Sequence, residues 1–265
     1  MAETKRDNSV QVLAKVVAIL DQLAVDGEVT PARLADLIDE PRSTVYRLLN
    51  SLQQADLIEP GAQRGAYRLG LKLFRLGSAV AARFDERQAA LPVMERVHGE
   101  TGETVFLCVR RGFEAVCIER LDGQRVQSLA LRVGGSLPLH AGGAPRALLA
   151  YAPRVFWDEY LAQGDPRVFT SHTPATRDHL LRELQSVRAL GYAMSDEDVT
   201  PGIAAIGVPV FDYTGNVRAS ISISGIRAAI LGDGTAMVDL IVAAAHDISR
   251  ALGFDARASS GGPGD

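Results

Sequence analysis

The residue types best suited to recognition chemistry fall in one stretch, Pro41-Arg42-Ser43-Thr44-Val45-Tyr46-Arg47-Leu48-Leu49-Asn50-Ser51-Leu52. Val45, Leu48, Leu49 and Leu52 stand at i, i+3, i+4 and i+7, one apolar stripe of a helix. The other face then carries Arg42, Ser43, Thr44, Tyr46, Arg47, Asn50 and Gln53, and no acidic residue occurs from Pro41 to Ala55. Such a face offers positive charge and hydrogen-bond donors to a phosphate backbone and to base edges. Arg42 and Arg47 are the first choices, because a guanidinium bonds guanine bidentately or clamps a phosphate. Ser43 and Thr44 suit phosphate contacts at the helix N-terminus. Tyr46 and Asn50 could read bases, with packing on a preceding helix as the alternative for Tyr46. Pro41 fits the first turn, where a missing N–H costs little. A lone basic helix is as often a solvated surface helix, so its neighbours decide.

The remaining chemistry-bearing residues are scattered. His140 stands in the glycine-rich run Gly134–Gly143 and invites a catalytic or metal reading, against a structural histidine bonded to backbone. Cys108 and Cys117 alternate with apolar residues, which favours buried, inert thiols over nucleophiles. His172 and His179 are seven apart and lack helical metal spacing, while Asp196-Glu197-Asp198 could attract a cation or form a solvated loop. No phosphate-binding Gly-x-x-x-x-Gly-Lys loop, Gly-x-Ser-x-Gly elbow or Cys-x-x-Cys pair occurs. No metal and no cofactor are expected.

The elements around Pro41–Leu52 sharpen its meaning. Apolar spacing predicts a helix over Val10–Ala24 after a frayed tail at 1–8, ended by Gly27. Thr30-Pro31 is a helix start, N-cap then first position. Strands at 55–59 and 66–69 flank the turn Pro60–Gly65, with Arg64 at the tip and Arg68 near the base; Tyr67 is expected in the core. Three helices and a β-ribbon form the winged helix-turn-helix pattern, and Arg64 and Arg68 then suit the minor groove or backbone. A further helix over Gly70–Phe84 reads as a linker. Beyond it come a helix at 89–101, strands at 104–110, 115–120 and 126–133, helices at 145–150 and 176–190, strands at 204–211 and 217–224, a last helix to Leu252 and a Gly/Ser/Pro tail expected to be disordered. Helices with antiparallel hairpins predict an α+β body.

Charge follows the same division. The 265 residues carry a net charge of −4, yet residues 41–84 hold seven basic and two acidic side chains, and residues 85–265 hold 17 arginines and 22 acids. A basic head on an acidic body is the footprint of a nucleic-acid binder with a second function. No apolar run approaches the ~18–20 residues of a membrane span. Residues 1–8 lack a secretory signal's apolar core, and with only two cysteines the expected place is the cytoplasm.

In succession, these motifs resemble the IclR family of bacterial transcription regulators. The match runs through Ser43–Leu49, Tyr67-Arg68-Leu69-Gly70, Leu137-Pro138-Leu139-His140-Ala141 with Ala147-Leu148-Leu149-Ala150, Gly191-Tyr192-Ala193, Pro201-Gly202-Ile203 and Ser222-Ile223-Ser224-Gly225. The resemblance implies an N-terminal winged helix-turn-helix domain (8–70), a linker helix (71–84), a C-terminal GAF-like effector-binding domain (85–254) and a tail at 255–265. It implies a repressor or other regulator that binds a palindromic DNA operator as a homodimer, or a homotetramer formed as a dimer of dimers, and answers to a small-molecule effector. Carried over position by position, Gly143 and Ala144 would hold a ligand carboxylate through backbone N–H groups. Ser222 and Ser224 would donate hydroxyls, Ser195 or Asp196 would supply a polar rim, and Val126, Leu129, Ile203 and Ala205 an apolar wall. The serines could instead stand on an exposed strand face, and the glycines could serve turn geometry alone. Two positions depart from the family pattern: Pro145-Arg146 replaces a glycine and lysine, which weakens anion capture by the helix start, and Asp198 replaces a glutamate expected at the rim. The alternative is a hydrolase or metalloenzyme body with a DNA-binding head, which needs His140, Cys117 or the acids at 196–198 in one pocket.

Overall fold

The computed structural model describes residues 2–81, 85–126, 131–232 and 234–254, and the chain divides into two compact units, residues 1–83 and 84–265. The first unit contains α1 (Ala2–Asp26), α2 (Pro31–Leu37), α3 (Arg42–Gln54), β1 (Ile58–Pro60), β2 (Tyr67–Leu69) and α4 (Leu71–Ala81). The backbone of α1 starts at Ala2 rather than Val10; Ala2–Asn8 holds no Gly or Pro, and propagating a helix costs far less than nucleating one. Thr30 caps α2 by accepting the Arg33 N–H at 3.5 Å, with Pro31 at the first helical position. Pro41 sits just outside α3 as its N-cap, and its carbonyl accepts from Thr44 and Val45 at 2.9 and 3.1 Å. The stripe Val45, Leu48, Leu49 and Leu52 is buried against Ile19, Leu23, Leu34 and Ile58, each leucine contributing about 2 kcal/mol. Lys72 donates from Nζ to the Ala55 carbonyl at 2.8 Å, satisfying the C-terminal end of α3.

The second unit is built on a six-stranded antiparallel sheet in the order β5-β4-β3-β8-β7-β6. Its elements are α5 (Asp85–Thr101), β3 (Thr104–Arg111), β4 (Glu114–Leu121), β5 (Ser136–Pro138), α6 (Gly143–Ala150), α7 (Arg154–Leu161), α8 (Arg177–Leu190), β6 (Ala193–Asp196), β7 (Ile203–Phe211), β8 (Val217–Ile226), α9 (Arg227–Leu231) and α10 (Ala236–Ala251). One sheet face packs Val105, Leu107, Ile206, Val208, Ile221 and Ile223 against α5 and α10. The other packs against a layer of α6, α7 and α8, with Leu148, Leu149, Trp157, Leu180 and Leu184 buried. Trp157 donates its indole N–H to the Leu149 carbonyl at 2.7 Å, and Arg188 of α8 donates to the carbonyls of Ala150 and Ala152, closing the C-terminus of α6.

The strand expected at 126–133 is not found in its described part: Val126, Leu131 and Arg132 lie outside any strand, and Val133-Gly134 is a turn. The reason is that β4 is already served. Cys117 donates to the Gly135 carbonyl at 2.9 Å, Gly134 donates to the Cys117 carbonyl at 2.8 Å, and β5 pairs with Glu114–Val116. Four short elements carried no sequence expectation, β5 (inside the run Gly134–Gly143 expected as a loop), α7, β6 and α9. The expected tail at 255–265 lies outside the described residues, as do residues 82–84 of the expected linker.

Candidate functional site

The first candidate surface is the outer face of α3. Arg42, Ser43, Tyr46, Arg47 and Asn50 are exposed and Thr44 is half-buried, so Tyr46, 51% exposed, is not packed into the core. Among the described residues, the N–H groups of Arg42 and Ser43 have no partner, because Pro41 supplies no side-chain cap. That leaves two donors at the positive end of the α3 dipole. The wing is β1 paired with β2, Glu59 opposite Arg68, and Val29 adds a bridge to Tyr67 through bonds of 3.0 and 2.9 Å. Tyr67 is half-buried against the core of this unit. Arg64 is exposed in the turn. Arg68 is instead engaged with Glu59 at 2.8 Å and with Glu28 at 3.9 Å. Glu28 also accepts the N–H groups of Ala62 and Gln63 at 2.9 and 3.1 Å, and these bonds hold its carboxyl below the usual glutamate range. A brace from the loop before α2 thus fixes the wing turn, a link between positions 34 and 35 residues apart that local pattern does not reveal.

The second candidate is a cleft, open to solvent, where the N-terminus of α6 meets the sheet. Two rows of paired strand residues make its floor. Ser195, Ala205 and Ser224 are aligned across β6, β7 and β8, and Gly207, Ser222 and Phe106 across β7, β8 and β3. Alternation turns both rows to the α6 side. Small residues there let α6 approach: a Cβ on Gly143 would stand 2.8 Å from the Gly207 nitrogen. The lining includes the α6 start, Gly142 to Pro145, where Gly143 is the first helical residue and Pro145 the third. Among the described residues, the Gly143 and Ala144 N–H groups have no hydrogen-bond partner. The proline therefore leaves both earlier donors intact. Ser222 is 3% exposed, lines the cleft, and its hydroxyl has no partner among the described residues. Ser224 donates to the Ala204 carbonyl at 3.1 Å. Ile203, Phe106, Leu131, Leu137 and Val199 form apolar walls, with Thr200 beside them.

Of the sequence-derived cleft residues, the structure brings together Gly143, Ala144, Ser195, Ile203, Ala205, Ser222 and Ser224. Val126 is not in the lining; its carbonyl accepts from Thr104 at 3.2 Å. Leu129 lies outside the described residues. Asp196 is turned to Arg227, at 2.6 and 2.8 Å, which is the first cause of its lowered pKa. Sequence reasoning missed Phe106, Leu131, Leu137, Val199 and Thr200, which come from separate loops and strands. It also missed what Asp198 does. That residue is 2% exposed and accepts from Arg146, from the Ser195 hydroxyl and from the Gly142 N–H, so it lies beneath the cleft instead of on its rim. The two departures from the family pattern, Arg146 and Asp198, are one buried ion pair.

The residues of the alternative reading lie elsewhere. His140 is buried, with Nδ1 2.7 Å from the Tyr160 hydroxyl and Nε2 2.8 Å from the Arg167 carbonyl. The carbonyl can only accept, so Nε2 carries a proton and Nδ1 accepts from Tyr160. Burial lowers the His140 pKa and raises that of Tyr160 to about 12. Cys108 and Cys117 are buried free thiols directly opposite each other on β3 and β4, and the hydrogen bond between the two thiols, followed by burial, pushes Cys108 up. None of these, nor Asp196 or Asp198, lines the cleft. Among the described residues no cluster of His, Cys, Asp and Glu is arranged to hold a metal ion, and no helix is long and apolar enough to cross a membrane.

Comparison with known proteins gives the same two parts. An IclR helix-turn-helix domain matches residues 12–61 and the bacterial transcriptional regulator IclR C-terminal domain matches residues 78–250. The chain is 34% identical over 257 residues to the HTH-type transcriptional repressor AllR of Escherichia coli K12, covering 96% of this chain and 95% of the repressor. It is 32% identical over 248 residues to the HTH-type transcriptional regulator KipR of Bacillus subtilis, covering 93% of this chain and 99% of KipR. The crystal structure of an IclR homologue from Microbacterium hydrocarbonoxydans complexed with 4-hydroxybenzoate superposes with a TM-score of 0.78 at 30% identity, over 91% of this chain and 98% of that one. These relatives regulate transcription and are not enzymes, and on both matched domains the chain belongs to the IclR family of bacterial transcriptional regulators.

Proposed function

We propose that this regulator reads a palindromic operator through residues 8–70 and is tuned by a small carboxylate held in the cleft of residues 85–254, with the helix over 71–84 as the link. Arg42, Ser43, Thr44, Tyr46, Arg47 and Asn50 enter the major groove, and Arg64 follows the backbone from the wing. Arg68 serves the wing first, since Glu59 and Glu28 already neutralise it. Homologues named as HTH-type regulators support the DNA partner, and a relative complexed with 4-hydroxybenzoate supports a carboxylate. Self-association as a dimer, or as a dimer of dimers, accounts for apolar side chains left exposed on two helices: Leu13, Val17 and Val25 of α1, and Leu71, Phe74 and Leu76 of α4. The cytoplasm is the compartment where such a protein meets DNA.

One observation carries the effector reading: two unpaired amides at the start of α6 face a cleft that also holds the unpartnered hydroxyl of Ser222. Free amides at a helix start bind anions, and a ligand carboxylate satisfies both. An effector acts through unequal affinity for DNA-competent and incompetent arrangements. The test is operator binding by fluorescence anisotropy at fixed salt, with and without any acid that raises the melting temperature. A shifted midpoint supports the reading; an unchanged midpoint for every stabilising acid overturns it. In the same assay, Arg47→Ala should weaken operator binding by roughly 10- to 100-fold, the worth of one bidentate base contact, while leaving oligomeric state unchanged.

A further inference from the structure

The hydrogen-bond state of each polar group in the cleft narrows the ligand class, an inference that rests on the effector reading above. The Gly143 and Ala144 amides are donors only. The hydroxyl protons of Ser195 and Ser224 are already committed. Ser195 donates to the Asp198 carboxylate and Ser224 to the Ala204 carbonyl, and neither acceptor can return a proton. What these two serines turn to a ligand is therefore lone pairs. Asp198 cannot release Ser195 without losing one of the donors that hold its buried charge. Ser222 and Thr200 have uncommitted hydroxyls among the described residues and serve either way. The cleft is thus polarised, with donors at the α6 start and acceptors along the Ser195–Ala205–Ser224 row. Among the described residues no Lys, Arg or His side chain lines it, so it offers amide dipoles to balance about one negative charge and not two. Beside these polar groups stand the apolar walls Phe106, Leu131, Leu137 and Val199.

We propose that the effector is a singly charged carboxylic acid with a short apolar body that also carries a hydrogen-bond donor, a hydroxyl or N–H, which Ser195 and Ser224 accept. An acid whose second group can only accept leaves both serine oxygens facing lone pairs and must turn to Ser222 or Thr200 instead, so it binds more weakly. The structure assigns Ser195 and Ser224 the choice between these acids, while Gly143 and Ala144 supply the common carboxylate contact. Asp198 acts as a positioning residue, fixing the direction of the Ser195 proton.

Isothermal titration of the full-length protein with matched acids tests this: 4-hydroxybenzoate, 4-methoxybenzoate, benzoate and terephthalate, with 4-hydroxybutyrate and butyrate as an aliphatic arm. The expected result is that, in at least one arm, the hydroxy acid binds about tenfold more tightly than its partners without a donor. Terephthalate, a dianion, should bind more weakly than 4-hydroxybenzoate. In Ser195→Ala and Ser224→Ala the hydroxy/non-hydroxy ratio should fall toward one while the affinity for the non-hydroxy acid holds. Ser224→Ala keeps the test valid if removing Ser195 unsettles Asp198, and a thermal melt of each variant confirms folding. Equal binding of hydroxy and methoxy acids, or preference for the dianion, overturns the donor rule yet leaves the effector site standing. Binding by no acid in either arm overturns both.

Discussion

Asp198 and Arg146 are each 3% exposed at the side chain and 52 residues apart in sequence, yet they form the pair under the cleft. Removing one partner strands the other charge. Asp198→Ala should therefore destabilise the acidic unit by about 3–5 kcal/mol, whereas an Arg146→Met/Asp198→Leu double variant should recover much of the loss, as seen by urea unfolding. Both residues stand out in the sequence as departures from the family pattern, but only the folded chain reveals that they touch. Glu28 makes a second residue-scale prediction. Backbone bonds from Ala62 and Gln63 hold its carboxyl below 4.5, with Arg68 adding to the effect. A depressed acid stabilises the fold above its unfolded pKa and loses that contribution as pH falls through the folded value. The amide signals of Ala62 and Gln63 should move together on acid titration with a midpoint below 4.5, and Glu28→Gln should abolish that transition and loosen the wing. Signals that do not titrate, or that move with a midpoint at or above the ordinary glutamate value, would show that the brace is absent.

At the scale of elements, the approach of α6 to β7 decides whether the cleft exists. Gly207 has no room for a Cβ, which would fall on the backbone of Gly143 and Ala144. Gly207→Ala should cost about 1–3 kcal/mol through overpacking and displace the α6 amides. The readout is a lower melting temperature together with loss of the thermal shift given by a binding acid; a variant that keeps both would mean α6 can yield. The elements that were legible in the sequence share a reason. The α3 stripe, the Thr30-Pro31 start and the Thr176 cap with Gly191 at the end of α8 are local patterns, written within one or two helical turns. The elements that escaped lack such patterns. In α7 the buried residues are only Trp157 and Tyr160, too few to set a period, and β6 is four residues long. In the described part of the span 126–133 local propensity yields to pairing, because hydrogen bonds between Cys117 and both Gly134 and Gly135 hold the β4 edge. The cleft was legible in the same measure. Its polar floor follows from motifs, while Phe106, Leu131, Leu137 and Val199 are gathered by tertiary structure.

For the whole molecule, the two units have separate cores, one around Leu49 and Ile58 and others on either side of the six-stranded sheet. Calorimetry should therefore resolve two transitions, and a binding acid should raise only that of the acidic unit, by RT ln(1 + [L]/Kd). A single transition that moves as a whole would show the units melting as one. Charge is divided along the same line, and salt should weaken operator binding steeply, with Arg64→Ala lowering the slope of log affinity against log salt by about one. In the proposed effector site the anchoring donors are main-chain amides of Gly143 and Ala144, which no point substitution deletes except proline, while its walls are ordinary side chains. That separates what is heritable from what is adjustable: a lineage can exchange Phe106, Leu131, Leu137 or Val199 and answer to a differently shaped acid without rebuilding its anchor. The same four positions are where a laboratory should randomise this chain to make a biosensor for a new acid.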